Sequence, residues 1–183
     1  MNQQIKAIVG LGNPGPRFFF TRHNSGFLVL DALAQRYNAQ WRQRDNYLYT
    51  TISTNDHSIM LIKPQTFMNQ SGDIFTALKK QNIRKENILI IHDELELPFG
   101  TIKVKFDGSA KGHNGLKSII QAIGKDFLRL RFGIGRPQNK NDVPEYVLEN
   151  FTDKHALTTT IDKAVNTLLN YLETSNAKGN SDG

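Results

Sequence analysis

The chain is 183 residues long, has a formal net charge of +6 and contains no cysteine. This length is typical of a single domain that buries most of its apolar surface. The lack of cysteine excludes disulfides, thiol nucleophiles and cysteine-ligated zinc. No apolar run approaches the roughly 20 residues that cross a bilayer, and no charged, then apolar leader is present, so we expect a cytoplasmic protein with no membrane contact. The positive charge favours a polyanionic partner such as a nucleic acid.

Strands alternate with helices in the first half of the chain. Residues 6–9 form an apolar run that stops at a glycine, which is typical of a buried strand. Apolar residues recur at helical spacing over 27–37, in a helix that begins near position 25. Residues 47–53 and 58–63 flank a short polar turn, which predicts a hairpin whose second arm ends at Pro64.

The middle of the chain contains the most apolar strand. A short helix is predicted over 75–78, and the continuous apolar run 88–91 predicts a central strand that is covered on both faces. Residues 92–94, His-Asp-Glu, would emerge at its carboxyl end. Residues 101–106 alternate instead, which places Lys103 and Lys105 on the same face of a strand.

The remaining elements complete an α/β pattern. A helix over 116–123 stops at a glycine, 128–134 reads as a strand, and 161–172 has the apolar face of a last helix. We therefore expect one domain over residues 1–175. Its fold class would be a three-layer α/β sandwich with a twisted mixed β-sheet flanked by helices. Residues 176–183 are polar and small, which predicts a disordered tail.

The glycine-rich turn at residues 10–15 matches the G-x-G-x-x-G pattern of dinucleotide-binding proteins. Pro14 lies inside the turn where a backbone donor is needed, and the following helix begins about ten residues too late. No acidic residue ends a second strand, since Asp31 lies within the helix. The turn is then either purely structural or a device that points Asn13 into a cleft.

A histidine and an aspartate form a candidate catalytic pair. His23 lies between polar residues just ahead of a helix, and Asp93 leaves the apolar strand 88–91. A hydrogen bond to one imidazole nitrogen would leave the other nitrogen basic, as a general base that activates water requires. Metal binding is the alternative, but no familiar zinc spacing occurs among the candidate ligands, which are His92, Asp93, Glu94 and His113. We expect no metal.

Two asparagines lie near the starts of predicted helices. Asn69 belongs to Met-Asn-Gln-Ser-Gly and Asn114 to Gly-His-Asn-Gly. Asparagine is a favoured N-cap and a common turn residue, which gives both a structural explanation. The functional alternative is an amide that orients water or polarises a carbonyl.

Together these stretches make the chain resemble bacterial-type peptidyl-tRNA hydrolases. The resemblance runs from about residue 5 to 172 and is carried, in the family's order, by VGLGNPG, TRHNSGF, KPQTFMNQSG, HDELELPFG, KGHNGLKSI and RLRFGIGRP. It implies an esterase that cleaves the bond between a peptide and the terminal ribose of tRNA, which recycles peptidyl-tRNA dropped during translation. It also implies a monomer that needs no metal or organic cofactor.

The resemblance implies a role for each matching residue. His23 corresponds to the general base and Asp93 to the group that stabilises it, while Asn13 corresponds to an amide that helps to distinguish blocked from free aminoacyl groups. The residues matching the peptide and 3′-end contacts are Phe67, Asn69 and Asn114. Lys105 and Arg131 match a clamp for the tRNA 5′ phosphate. A wider basic surface would add Lys103, Lys111, Lys117, Arg129 and Arg136, but a solvated face is the better default for each of these five residues.

One position departs from the family pattern, which usually has tyrosine where this chain has Phe18. The ring is kept and the hydroxyl is lost, so stacking on a terminal base or ribose could persist without a hydrogen bond. Two other classes of function remain at this stage. A dinucleotide-dependent oxidoreductase depends on the glycine turn, and a non-catalytic RNA-binding module depends on the basic face. Retention of both His23 and Asp93 favours the enzyme.

Overall fold

The computed structural model describes residues 4–54 and 57–179, without the side chains of 176–179. Within these ranges, seven strands form one sheet. The strands are β1 (Ala7–Gly10), β2 (Arg42–Arg44), β3 (Tyr47–Ser53), β4 (Ser58–Pro64), β5 (Ile88–Glu94), β6 (Ile102–Phe106) and β7 (Leu128–Gly133). The α-helices are α1 (Ser25–Arg36), α2 (Phe75–Lys80), α3 (Asn114–Ile123), α4 (Val143–Tyr146) and α5 (Lys154–Gly179).

The sheet is mixed, as the sequence predicts, and has the order β2-β3-β4-β1-β5-β7-β6. The four inner strands β4, β1, β5 and β7 run parallel, while β2, β3 and β6 add antiparallel edges. The carboxyl ends of the parallel strands therefore meet at one edge of the sheet, where α/β proteins commonly bind ligands.

Strand β5 shows why the sheet is covered on both faces. Leu89 and Ile91 pack into the core beneath α1 and α5. Ile88 and Ile90 pack into a second core beneath α2 and α3. All four side chains are buried, which explains the unbroken apolar run and confirms the three-layer α/β architecture.

A close backbone approach fixes the start of α1 against the sheet. A Cβ atom on Gly10 would collide with the backbone carbonyl of Gly26, and one on Gly26 would collide with the backbone of Leu11 and Ile91. Only glycine fits at these two positions. This contact presses the beginning of α1, and the residues just before it, onto the carboxyl ends of β1 and β5.

Several features differ from the sequence prediction. Strand β2 was not expected, because its residues Arg-Gln-Arg are all exposed at the sheet edge and show no apolar alternation. Strand β5 continues through Glu94, so the His-Asp-Glu segment lies within the strand rather than beyond it. The α5 backbone is helical to Gly179, whereas disorder was predicted from residue 176; Ala177 and Lys178 are good helix formers. The rest of that tail, 180–183, lies outside the described residues.

No helix in the described part of the chain is long and apolar enough to cross a membrane.

Candidate active site

His23 and Asp93 are brought together by two neighbouring elements. His23 lies in the single 3₁₀ turn Arg22–Asn24 that leads into α1, and Asp93 lies near the end of β5. The His23 Nδ1 atom is 2.9 Å from Asp93 Oδ2 and 3.1 Å from Oδ1. Because ionised aspartate can only accept, Nδ1 carries the proton and donates it. The His23 Nε2 atom keeps its lone pair, and the side chain lines a cavity of about 350 Å³.

The pair is electrostatically coupled. Burial by itself lowers the pKa of His23, but the Asp93 carboxylate outweighs that effect and raises the pKa above its ordinary value. Burial by itself raises the pKa of Asp93, but His23 and His113 hold it well below its usual range. Asp93 is therefore an anion at neutral pH, and it stabilises the imidazolium that forms when His23 accepts a proton.

His113 is a second partner of Asp93 that the sequence did not single out for this role. It is the N-cap of α3, where its Nδ1 atom accepts from the backbone N–H groups of Gly115 and Leu116 at 3.1 and 3.3 Å. The other nitrogen, Nε2, must therefore carry a proton, and it donates to Asp93 Oδ1 at 2.7 Å. The start of α3 thus fixes the tautomer of His113, and His113 holds Asp93 in place. The only sequence signal was a histidine immediately before a helix.

These three side chains also satisfy a simple geometric criterion for a metal site. One ligand atom each from His23, Asp93 and His113 lies within 4.8 Å of the others. In the structure the same atoms are hydrogen-bonded directly to one another, with the imidazoles as donors. A metal ion would have to displace those protons, so the arrangement suits a general base better than a cation site.

His92 lies beside this group and is neutral. Burial, followed by the proximity of His113, lowers the pKa of His92 to about 4. Its Nδ1 atom donates to the carbonyl of Asp93 at 2.9 Å, and its Nε2 atom is buried with no partner among the described residues. His92 therefore adds no positive charge that would oppose protonation of His23 at neutral pH.

Asn13 is held from two sides. Its backbone N–H donates to Asn24 Oδ1 and its carbonyl accepts from Asn24 Nδ2, each at 2.9 Å. The backbone N–H of Met68 donates to Asn13 Oδ1 at 2.8 Å. This last bond determines which end of the side-chain amide faces outward, so the Nδ2 group is available as a donor. Asn24, which binds the glycine-rich turn to the His23 turn, was missed because its sequence context offers no sign of this contact.

Neither Asn69 nor Asn114 caps a helix. The N-cap of α3 is His113, and the N-cap of the 3₁₀ segment Met68–Ile74 is Phe67. Both asparagines are exposed, and Asn114 lines the same cavity as His23. Their segments pack together, since the Gly72 N–H donates to Ser118 Oγ at 2.9 Å. The N-cap explanation for these asparagines is therefore wrong.

Phe67 and Phe18 occupy different environments. Phe67 is 59% exposed and directly precedes Met68, but it does not line the cavity that contains His23. Phe18 is half-buried, with the guanidinium of Arg17 at 4.9 Å from the centre of its ring. Phe18 does not line the cavity that contains His23.

Basic residues from β6 and β7 line the cavity of His23, which we call the basic cavity. The antiparallel register places Lys105 opposite Arg129 and Lys103 opposite Arg131, so all four project from one face of the sheet. Lys105 is exposed, whereas Arg131 donates through Nε to Glu94 Oε1 at 2.8 Å. Lys105 and Arg131 thus share one cavity with His23.

Two other arginines of the predicted basic surface are already occupied. Arg129 is buried and donates to the backbone carbonyls of Gly108, Ser109 and Lys125. Arg136 donates to Glu96 from two of its nitrogens. Arg129 therefore supports the loop before α3 and has little capacity left for a phosphate.

A model of the family described as peptidyl-tRNA hydrolase matches residues 7–182. A peptidyl-tRNA hydrolase from Fervidobacterium nodosum is 43% identical over 91% of this chain and 86% of its own length. One from Wolbachia pipientis wMel is 46% identical over 85% of this chain and 87% of its own length.

Solved structures agree. The crystal structure of peptidyl-tRNA hydrolase from Acinetobacter baumannii is 37% identical, covers 92% of this chain and 87% of its own, and superposes with a TM-score of 0.84. A structure of peptidyl-tRNA hydrolase in complex with N-propanol is 36% identical, covers 93% of this chain and 88% of its own, and gives a TM-score of 0.85. The family model and the relatives show that the chain, with its His23–Asp93 pair and basic cavity, belongs to the peptidyl-tRNA hydrolase family.

Proposed function

We propose that the protein hydrolyses the ester between a peptide and the 3′-terminal ribose of tRNA, by means of water that His23 activates. The observation that carries this proposal is the basic cavity, which brings His23 and Asp93 together with Lys105 and Arg131. Hydrolysis of an ester at the end of a polyanion requires a general base near the ester and cations that bind the phosphates.

The reaction follows from the tautomer of His23. The Nε2 atom takes a proton from water while the water oxygen bonds to the ester carbonyl carbon. The negatively charged carbonyl oxygen then re-forms its double bond to the carbon, which breaks the bond between that carbon and the ribose oxygen. The ribose oxygen takes the proton back from Nε2, so free tRNA and a peptide carboxylic acid are released, and the acid then loses its proton to the solvent to give the carboxylate. Asp93 stabilises the imidazolium between these steps, and His113 keeps Asp93 oriented.

Three amides surround the path of the substrate in this proposal. The exposed side chains of Asn69 and Asn114 would orient the attacking water and the reacting carbonyl. The outward Nδ2 group of Asn13 would donate to the acyl oxygen of a blocked amino group. A free α-ammonium offers only donors, so it would face another donor and bind less well. Discrimination between blocked and free aminoacyl esters follows from that contrast.

Lys105 and Arg131 would contact the 5′ phosphate of tRNA. Lys105 is exposed and makes no ion pair with any residue that the structure describes, which suits a phosphate contact. Arg131 is held by Glu94, whose pKa is lowered: burial opposes ionisation, but the hydrogen bond from Arg131 and the other neighbouring groups together outweigh it. This pairing orients the guanidinium toward the cavity. The Glu94 carboxylate also offsets the positive charge of Arg131.

The proposed chemistry uses no metal and no organic cofactor, and a monomeric single domain is sufficient for it. The alternative is a non-catalytic RNA-binding module on the same fold. That alternative requires no pairing of His23 with Asp93, whereas the two are hydrogen-bonded here. It therefore gives no reason for the buried carboxylate.

The experiment compares hydrolysis of N-acetyl-aminoacyl-tRNA with that of the unblocked aminoacyl-tRNA, each with and without a chelator. We expect cleavage of the blocked ester only, at the same rate with chelator. Loss of activity in chelator would instead assign a metal to the His23, Asp93 and His113 cluster. Binding of tRNA without any cleavage would leave the non-catalytic alternative.

A further inference from the structure

The turn that contains His23 is bound through its backbone to the segment that follows α4. The Arg22 N–H donates to the carbonyl of Glu149 at 3.1 Å, and the His23 N–H donates to the carbonyl of Val147 at 2.8 Å. The first N–H groups of a helical turn have no partner within it, so these two bonds satisfy them. Val147 also lines the basic cavity. The backbone of the base is therefore supported by a wall of the cavity in which it acts.

The side chain of Arg22 strengthens this attachment. Its guanidinium carbon lies 3.9 Å from the centre of the Tyr146 ring. Its Nη1 atom donates to the carbonyl of Tyr146 and to the carboxylate of Glu149, each at 2.9 Å. The Arg22 side chain is only 15% exposed, whereas that of Glu149 is 61% exposed. A planar guanidinium can stack on a ring and bind acceptors at its edge at the same time, which an ammonium cannot do.

Tyr146 is connected in turn to the strand of Asp93. Its hydroxyl donates to the carbonyl of Ile134 at 2.6 Å. The Ile134 N–H donates at 3.0 Å to the carbonyl of Glu94, the last residue of β5. One face of the tyrosine thus holds the turn of His23, and its hydroxyl holds the end of the strand that bears Asp93. The general base and its carboxylate are tied to the same side chain.

Helix α4 depends on these contacts for its position. It is four residues long, and an isolated helix of one turn is not stable in water. Loss of the stacked guanidinium would release the segment after α4. The hydrogen bond from His23 to Val147 would then transmit that displacement to the base.

We propose that Arg22 and Tyr146 are positioning residues that hold the His23 turn against the segment after α4 and so keep His23 Nε2 directed into the basic cavity. The proposal deepens the proposed function and depends on it for the reaction that is slowed. The phosphate contacts assigned to Lys105 and Arg131 come from β6 and β7, so loss of this positioning should affect kcat rather than binding.

The first experiment separates kcat from KM. Arg22→Met keeps an unbranched apolar stem but removes the planar cation, so kcat for N-acetyl-aminoacyl-tRNA should fall roughly 10- to 100-fold while KM stays within about twofold. Arg22→Lys keeps the charge without the planar group and should recover only part of the loss. Glu149→Gln should change little, because that ion pair is exposed. Unchanged kcat in Arg22→Met, or full recovery in Arg22→Lys, overturns the proposal.

Arg36→Met is the matched control. Arg36 also connects two elements, since Nη1 at the exposed end of α1 donates to Asn166 Oδ1 of α5 at 2.9 Å, but it does not line the basic cavity. Its loss should leave kcat unchanged, and a loss equal to that of Arg22→Met would contradict the proposal.

A double-mutant cycle tests whether the two residues act through one contact. Tyr146→Leu removes the ring and should also lower kcat. In the double variant with Arg22→Met the loss should be smaller than the product of the two single losses, because the stacked pair can be broken only once. Losses that multiply would mean that the residues act separately, which overturns the proposal.

An NMR titration of the His23 imidazole separates positioning from a general loss of stability. The groups that face this ring are Asp93 and His113. Asp93 raises the pKa of His23, so a displaced turn should lower that pKa in Arg22→Met and not in Arg36→Met. Loss of the Arg22 charge alone would change the pKa in the opposite direction. Reduced stability with an unchanged His23 pKa would give Arg22 a purely structural role and overturn the proposal. If the intact protein cleaved no ester but the His23 pKa still fell in Arg22→Met, the proposed function would fail while the positioning contact remained.

Discussion

Met68 donates its backbone N–H to Asn13 Oδ1 at 2.8 Å, so the carbonyl end of this side-chain amide is occupied and its NH₂ end faces outward. Asn13→Asp keeps an acceptor for Met68 but replaces the outward donor with an acceptor. We expect kcat/KM for N-acetyl-aminoacyl-tRNA to fall roughly 10- to 1,000-fold, the scale of losing one positioned donor.

The unblocked ester provides the control for this variant. Its α-ammonium can donate to the new carboxylate, so kcat/KM should fall less for the unblocked ester than for the blocked ester. The ratio of blocked to unblocked kcat/KM should therefore decrease. A variant that lost equal activity on both esters would remove Asn13 from discrimination.

The pH dependence of the rate follows from the direction of the His23 pKa. Burial lowers this pKa, but Asp93 raises it more, and the base is active only when it is unprotonated. Activity should therefore fall as pH drops through the raised pKa of His23. In Asp93→Asn the burial effect remains and the raising effect is lost, so the acidic limb should move to lower pH while the maximal rate decreases.

The measurement is the pH profile of kcat/KM for the intact protein and the Asp93→Asn variant. Glu173→Gln is a suitable control, because it removes an acidic charge at an exposed position of α5 that does not line the basic cavity. An acidic limb at the same pH in Asp93→Asn would mean that another group controls the rate.

Salt dependence tests the phosphate contacts. Lys105→Ala should raise KM and reduce the slope of log KM against log salt concentration by roughly 0.7 to 0.9, the contribution of one phosphate contact. Arg131→Ala should reduce the slope less, since Arg131 already pairs with Glu94. The matched control is Lys79→Ala, which removes an exposed lysine from α2. Equal slopes for Lys105→Ala and Lys79→Ala would remove Lys105 from the clamp.

The glycine contact at the start of α1 predicts a combined loss of stability and activity. A methyl group on Gly26 would collide with the backbone of Leu11 and Ile91, so Gly26→Ala should lower the free energy of unfolding by roughly 1 to 3 kcal/mol. It should also slow hydrolysis about 100-fold, because α1 carries the His23 turn and small displacements are costly. Denaturant unfolding and kcat measure the two effects. Gln35→Ala, on an exposed position of α1, should change neither.

Much of the fold was predictable because the signal is periodic. The apolar run of β5 reflects burial on both faces of the sheet, and the alternation of β6 reflects burial on one face. Both strands were predicted from these patterns, and both are confirmed. Strand β2 is too short and polar to produce a pattern, and α4, at a single turn, is too short. They form because neighbouring segments supply hydrogen bonds, as Tyr47–Ser53 does for β2.

The candidate site was only partly predictable. The position of Asp93 at the end of a buried strand, and of His23 before a helix, made the pair a reasonable hypothesis. The roles of His113 and Asn24 depend on hydrogen bonds between segments that are far apart, and residue type alone does not reveal them. The same applies to the basic surface: the sequence counts Arg129 as a free cation, whereas the structure binds it to three carbonyls.

The most direct test of the account is single-turnover hydrolysis of N-acetyl-aminoacyl-tRNA by the intact protein and by His23→Ala, with tRNA binding measured in parallel. Because His23 is the proposed base, the variant should cleave roughly 100- to 10,000-fold more slowly while binding tRNA with similar affinity. Cleavage by His23→Ala at the rate of the intact protein would contradict the mechanism.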